Sequence, residues 1–184
     1  MRTWNKKPAF GCLGIIAASA LAVSFAQGGN NPEDEAAIRK LLEAGLKAYN
    51  QHDARAWSMI FHSDADLTNV IGWTLHGREE IETYFQRLFA KERHPKLPSF
   101  SQALVEADGE PKIRFHRPDV ATVHLRWTMT GAIGPDDKAM PKREMVVTLV
   151  ATKENGVWGI ASYHNVDRRT DQPKEIPAEL LKRP

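Results

Sequence analysis

Between Asn31 and Tyr49 the apolar residues return at helical spacing. Ile38, Leu41, Leu42, Gly45 and Tyr49 share one stripe, so the pattern predicts a long first helix with one buried face. Asn31 can cap it, Pro32 suits its first position, and Glu33, Asp34 and Glu35 lie against the positive end of the helix dipole. Asp53 is placed to cap a second, shorter helix carrying Trp57, Ile60 and Phe61. Asp64 and Asp66 read as a turn, after which Leu67, Asn69, Ile71 and Trp73 share one face of a strand or tight strand pair bent at Gly72. A third helix is predicted after Gly77, burying Ile81, Tyr84, Phe85 and Leu88 and ending before Pro95 and Pro98.

From Ser99 to Asp167 the period falls to two. Ala121, Val123, Leu125, Trp127 and Met129 alternate with Thr122, His124, Arg126, Thr128 and Thr130, giving a strand with one dry and one polar face. Met145 to Thr152 is apolar and β-branched, Glu154-Asn155-Gly156 supplies a hairpin turn, and Val157 to Val166 returns as a strand. Helices first and a meander after them predict an α+β fold, with helices covering one face of a mainly antiparallel sheet. Residues 168–184 contain Pro173, Pro177 and Pro184 among charges and read as a flexible tail.

The N-terminus changes the picture of the whole. Arg2, Lys6 and Lys7 precede an uncharged stretch from Ala9 to Val23, and Ser24-Phe25-Ala26 places small residues at both cleavage-defining positions. Residues 1–26 are therefore expected to be a signal peptide cut after Ala26, followed by a linker over 27–32 and a domain over 33–167. The protein is expected to be exported, periplasmic or secreted. Cleavage removes three of the 25 basic residues and none of the 23 acidic ones, so the formal charge falls from +2 to −1. Neither nucleic acid nor a membrane surface is an expected partner of such a chain. Cys12, the one cysteine, leaves with the signal, which excludes disulfides and thiolate chemistry from the mature domain.

Tyr49-Asn50-Gln51-His52-Asp53-Ala54, then Ile60-Phe61-His62-Ser63-Asp64-Ala65-Asp66, then Gly77-Arg78-Glu79-Glu80-Ile81 form an ordered series. Arg117-Pro118-Asp119-Val120-Ala121, Trp158-Gly159-Ile160 and His164-Asn165 continue it. With these motifs the chain resembles the nuclear transport factor 2-like superfamily and, more narrowly, its SnoaL-like branch often labelled the SgcJ/EcaC family, over roughly residues 33 to 167. The resemblance implies a cone-shaped (cystatin-like) fold, a pocket between three helices and a curved sheet, and a homodimer. It leaves the chemistry open, because that fold hosts isomerases, dehydratases, cyclases and non-enzymatic binders. No Gly-rich dinucleotide motif follows a strand, and no cofactor is expected.

Several residues invite a chemical role. Asn69 stands where the resemblance to steroid isomerases implies an Asp base; an amide cannot take up a proton near neutral pH, so Asn69 either orients a ligand or satisfies buried backbone. His164 shares the parity of Trp158 and Ile160 and is expected to point inward, as an acid, a base or a hydrogen-bonded core histidine, with Asn165 on the opposite face. Tyr49, Trp73, Trp127 and Met129 are candidate walls of a pocket for a flat apolar ligand, whereas Trp57 reads as core. His62, Asp64 and Asp66 resemble a metal set only loosely: the seven histidines avoid the short spacings of zinc motifs, and no metal is expected. Arg78 and Glu79 read as stabilising the start of the third helix, and Lys91, Arg93, His94 and Lys96 as a solvated basic end.

These readings lead to an exported domain that binds a small, mainly apolar or aromatic molecule. A cofactor-independent enzyme of isomerase, dehydratase or cyclase type is the alternative, and a dimeric assembly module with a filled cone is the third. Dimerisation is expected through the outer sheet face of Thr122, His124, Arg126, Thr128 and Thr130.

Overall fold

A computed structural model describes residues 31–181 apart from Arg93, Thr170, Gln172, Lys174 and Glu175. The expected signal peptide and its cleavage site lie outside the described residues. Helix α1 (Pro32–Asn50) is capped as the sequence predicts, with the Glu33 amide donating to Asn31 Oδ1 at 3.1 Å. Asn31 and Pro32 therefore belong to the domain and not to a linker. Helix α2 (Ala54–Ser58) is capped by Asp53, whose Oδ1 accepts from the Ala56 amide at 2.8 Å. Ile60 and Phe61 lie beyond it, and Phe61 already opens strand β1 (Phe61–Thr68).

Asp64 and Asp66 are part of β1, exposed on its outer side, and not a turn. The turn comes at Asn69 to Trp73, where Gly72 adopts a positive φ of 83° and its amide donates to the Asn69 carbonyl at 2.9 Å. Strand β2 (Thr74–His76) then returns antiparallel to β1 and leads into α3 (Gly77–Phe89). Asn69, Ile71 and Trp73 thus occupy a hairpin tip and not one strand face. Past α3, β3 (Leu104–Ala107) and β4 (Lys112–Arg117) precede the three long strands β5 (Val120–Thr130), β6 (Arg143–Glu154) and β7 (Val157–Asp167). The seven strands form one sheet in the order β2-β1-β7-β6-β5-β3, with β4 also on β5; β1 and β7 run parallel and the other pairs antiparallel. Asn155 and Gly156, with φ of 50° and 82°, make the expected tight turn between β6 and β7.

Inward-facing residues of the long strands pack against the helices around Trp57. Its ring contacts Tyr49, Phe61, Phe85, Trp127 and Tyr163 at centroid distances of 5.4 to 6.1 Å. Gly45 belongs to the stripe of α1 because a β-carbon there would meet Ile60 Cδ1 at 2.6 Å. Buried Asp34 fastens the first turn of α1 to the β6–β7 hairpin: Lys153 Nζ lies 2.6 Å, and the donating Trp158 Nε1 2.8 Å, from its Oδ1. Of the expected tail, the described part holds a single 3-10 turn, Ala178–Leu181, and Arg168 still pairs with Glu144 at the sheet's edge. No helix among the described residues is long and apolar enough to cross a membrane.

Candidate functional site

Helices and sheet enclose a cavity of about 540 Å³. The sheet contributes Trp127 and Met129 from β5, Arg143 and Met145 from β6, and Tyr163, Asn165 and Asp167 from β7. Opposite them stand Tyr49 of α1, Trp57 of α2, and Tyr84, Phe85 and Leu88 of α3. The rim consists of the Asn69–Trp73 turn and two loop segments carrying Lys96, Leu97 and Phe100, and Pro135, Met140 and Pro141. Ser99 and Ile133 bridge those two loops through paired backbone hydrogen bonds of 2.8 and 3.0 Å.

Five of the six expected ligand-binding residues line this space. Tyr49, Trp127 and Met129 are buried, and the Tyr49 hydroxyl donates to Met129 Sδ at 3.6 Å. Trp57, read as core, is both core and wall. Trp73 is half exposed and meets Tyr84 edge-on at the mouth, 6.5 Å between centroids. Asn69 serves backbone, though at an exposed hairpin tip and not in a buried setting: its Oδ1 accepts from the Ile71 and Trp73 amides at 3.1 and 3.0 Å, shaping the tip as an Asx turn. Its Nδ2 then donates to the Tyr84 hydroxyl at 3.3 Å, so it orients a rim tyrosine as well.

His164 is exposed on the outer face and does not line the cavity. The reason is a bulge. Ala151 pairs with Ile160 and Val150 with Ser162, leaving Ala161 as an extra residue that reverses the parity of β7. Trp158 and Ile160 point inward before it; Tyr163, Asn165 and Asp167 do so after it. His164 instead sits across from Thr148, whose hydroxyl is 3.2 Å from His124 Nδ1.

The polar groups of the cavity divide by depth and charge. Arg143 clasps Asp167 with Nε 3.1 Å and Nη2 2.7 Å from Oδ1, and Nε 3.2 Å from Oδ2, which cancels the two charges at the rim. Deeper in, burial pushes the Tyr163 hydroxyl far above the usual tyrosine range; the nearby Tyr49 pushes the same way and Arg143 opposes it. Burial raises Tyr49 likewise, against the pull of Arg143. Both hydroxyls therefore remain protonated donors. Among the described residues no three His, Cys, Asp or Glu side chains converge as metal ligands. His62 lies 3.1 Å by its Nε2 from the Thr152 carbonyl and 3.4 Å by its Nδ1 from Glu154, away from Asp64 and Asp66. Arg78 anchors α3 by donating to the Phe61 carbonyl at 3.1 and 2.6 Å, and Lys96, exposed as expected, also borders the cavity.

Tyr163, Arg143 and Asp167 were not candidates in the sequence. The alternation of Met145, Val147, Leu149 and Ala151 extends back to Arg143 without interruption, so its direction could have been read there. Asp167 and Tyr163 could not, since their direction depends on the bulge at Ala161.

The chain matches the model of the SnoaL-like domain over residues 31–164. It belongs to the SnoaL-like domain family. An uncharacterized protein with a cystatin-like fold from Caulobacter vibrioides shares 24% identity and superposes with a TM-score of 0.67, covering 76% of this chain and 92% of its own. A ketosteroid isomerase-like protein from Erwinia carotovora atroseptica shares 18% at a TM-score of 0.61, covering 76% and 99%. A type 2 hexachlorocyclohexane dehydrochlorinase shares 16% at 0.62, covering 75% and 87%. At these identities the likeness shows the fold of the SnoaL-like domain: an α+β cone of the nuclear transport factor 2-like, cystatin-like type. No curated protein matches the chain. This SnoaL-like fold is compatible with small-molecule binding and with isomerase-type activity.

Proposed function

We propose that this chain is an exported receptor domain for a small, mainly apolar or aromatic molecule held in the cone. The observation that carries the reading is the open cavity itself, of about 540 Å³ and walled chiefly by aromatic and aliphatic side chains with few polar groups. Two structural neighbours bear enzymatic names, and their kind of chemistry asks for a positioned acid or base in the cavity. Here the lining carboxylate, Asp167, is held by Arg143, and Asn69 is committed to a backbone turn. That occupancy favours binding over proton transfer. A filled assembly module is disfavoured by the space among Asn69, Trp73 and Trp127.

Export rests on the basic start, uncharged core and Ser24-Phe25-Ala26 exit of residues 1–26. The narrower SgcJ/EcaC placement rests on the ordered motifs from Tyr49 to Ile81. Homodimerisation is proposed through the outer sheet face, where Thr122, His124, Thr148 and His164 lie on three adjacent long strands. Sedimentation at micromolar protein checks that part; a monomer removes it. The binding function is tested by untargeted mass spectrometry of an organic extract of the purified protein, compared with a variant in which Trp127→Glu charges the cavity wall. A small apolar compound present only in the wild-type extract supports the reading. Identical extracts contradict it.

A further inference from the structure

A second depression lies on the far side of the wall that Trp73, Tyr84 and Leu97 give to the cavity. It has a volume of about 560 Å³ and is bounded by one face of α3, by β2 and by the loop that follows α3. Its floor is apolar, built from Trp73, Leu75, Tyr84 and Leu97. Its charges are sorted along α3: Glu79 and Glu80 stand in the first turn, whereas Arg87 in the last turn is joined by His94 and Lys96 from the loop. These charged side chains are exposed and form no ion pair among the described residues. His94 accepts the Lys96 amide on Nδ1 at 3.2 Å, which leaves Nε2 as its donating nitrogen. At about 1.5 Å per residue, the eight positions from Glu79 to Arg87 set the two poles about 12 Å apart.

Strand β2 is also an edge of the sheet. The Asn69 amide donates to the Trp73 carbonyl at 2.9 Å, so the alternation of an antiparallel pair turns the N–H and C=O of Thr74 and His76 away from β1. On that edge the His76 amide is accepted by Glu80 Oε2 at 2.8 Å, while Thr74 keeps an open N–H and C=O between Trp73 and Leu75.

From this arrangement we infer that the groove binds a short extended peptide with both termini free, its ammonium at Glu79 and Glu80 and its carboxylate among Arg87, His94 and Lys96. Thr74 supplies the main-chain pairing that an edge strand offers, and the floor takes apolar side chains. A chain extended at about 3.3 to 3.6 Å per residue covers the distance with about four residues. An internal segment of a longer chain lacks the terminal charges, and a simple amphiphilic anion sets its apolar body against Glu79 and Glu80. The site is separate from the cone, because Glu79, Arg87 and His94 border the groove and not the cavity.

Calorimetric titration of the full chain with the tetrapeptide Ala-Leu-Val-Ala tests the assignment, beside its C-amidated and N-acetylated forms, the dipeptide Leu-Val and hexanoate. The free tetrapeptide is expected to bind one molecule per chain. Amidation is expected to weaken it about tenfold, acetylation several-fold, and the dipeptide and hexanoate are each expected to bind at least about tenfold less tightly. Arg87→Gln is expected to reduce the difference between free and amidated tetrapeptide to about threefold or less, and Glu79→Gln to do the same for the acetylated form. Both substitutions are on the exposed face of α3, so the thermal midpoint should hold, and 2-isopropylnaphthalene, a probe of the cone, should bind each variant within about twofold of wild type. Equal binding of free and amidated peptide, hexanoate matching the tetrapeptide, an Arg87→Gln loss shared equally by both peptides, or no saturable binding overturns the peptide assignment while leaving the receptor reading of the cone to its own test.

Discussion

Arg143 and Asp167 meet across β6 and β7 at the cavity wall, joined by nitrogen–oxygen contacts of 2.7 to 3.2 Å. The arginine side chain is 12% exposed and the aspartate 48%, so the cation is the member that lies mostly within the protein. Removing the acid uncovers a positive charge inside the cavity. Asp167→Asn is accordingly expected to raise the affinity for 2-naphthoate several-fold, about five to ten times, and to change 2-acetylnaphthalene little. Parallel titrations of the two probes check it, and raising the salt concentration should shrink the gain for the anion.

Trp73 and Trp57 separate binding from stability. Trp73 is 50% exposed at the mouth, so Trp73→Ala should leave the unfolding midpoint nearly unchanged and weaken aromatic probes by about 1 kcal/mol. Trp57 is 1% exposed in the centre of the aromatic cluster, so Trp57→Ala should cost about 3 to 5 kcal/mol of folding stability. Denaturant unfolding of both variants measures the contrast.

His164 and Asn165 test the bulge. With His164 on the outside, His164→Ala should leave probe binding within about twofold of wild type. Asn165→Leu changes the cavity wall and should alter the relative affinities of ketone and hydrocarbon probes. The opposite outcome, sensitivity at 164 and indifference at 165, would place the parity change elsewhere in β7.

Asp34 supplies a pH dependence whose sign is fixed by its partners. Hydrogen bonds from Lys153 and Trp158 outweigh burial and hold its carboxyl below the usual aspartate value in the folded chain. As pH falls through the ordinary carboxylate range the unfolded chain takes up the proton first, so stability decreases toward acid until the lowered folded value is passed. Between about pH 6 and about pH 3, unfolding free energy should fall more steeply for wild type than for Asp34→Asn. Urea titrations across that window follow it.

Periodicity and caps made most of the architecture legible. Asn31, Asp53, the stripe of α1 and the turn at Asn155-Gly156 are local features whose physics does not depend on the rest of the fold. Where pairing between distant strands decides direction, the sequence runs out. Neither glycine nor proline marks Ala161, and the extra residue exists only relative to β6, so His164 is read as inward when it is outward. Asp64 and Asp66 look like turn residues by type, yet β1 continues through them because their outer face is exposed and Asp66 finds His76 at 2.7 Å across the β1–β2 pair. Tyr49, Trp127 and Met129 were legible as walls because an apolar strand face and a helix stripe converge in any fold of this class. The donor at Tyr163 was hidden behind the bulge.

Titration of tryptophan fluorescence with 2-isopropylnaphthalene tests the central claim most directly, since Trp57, Trp73 and Trp127 all border the cavity and this probe asks only whether the cone admits an apolar guest. The account predicts saturable binding of one molecule per chain, weakened by Trp73→Ala without loss of folded protein. A signal that never saturates, or saturable binding that Trp73→Ala leaves unchanged, contradicts it.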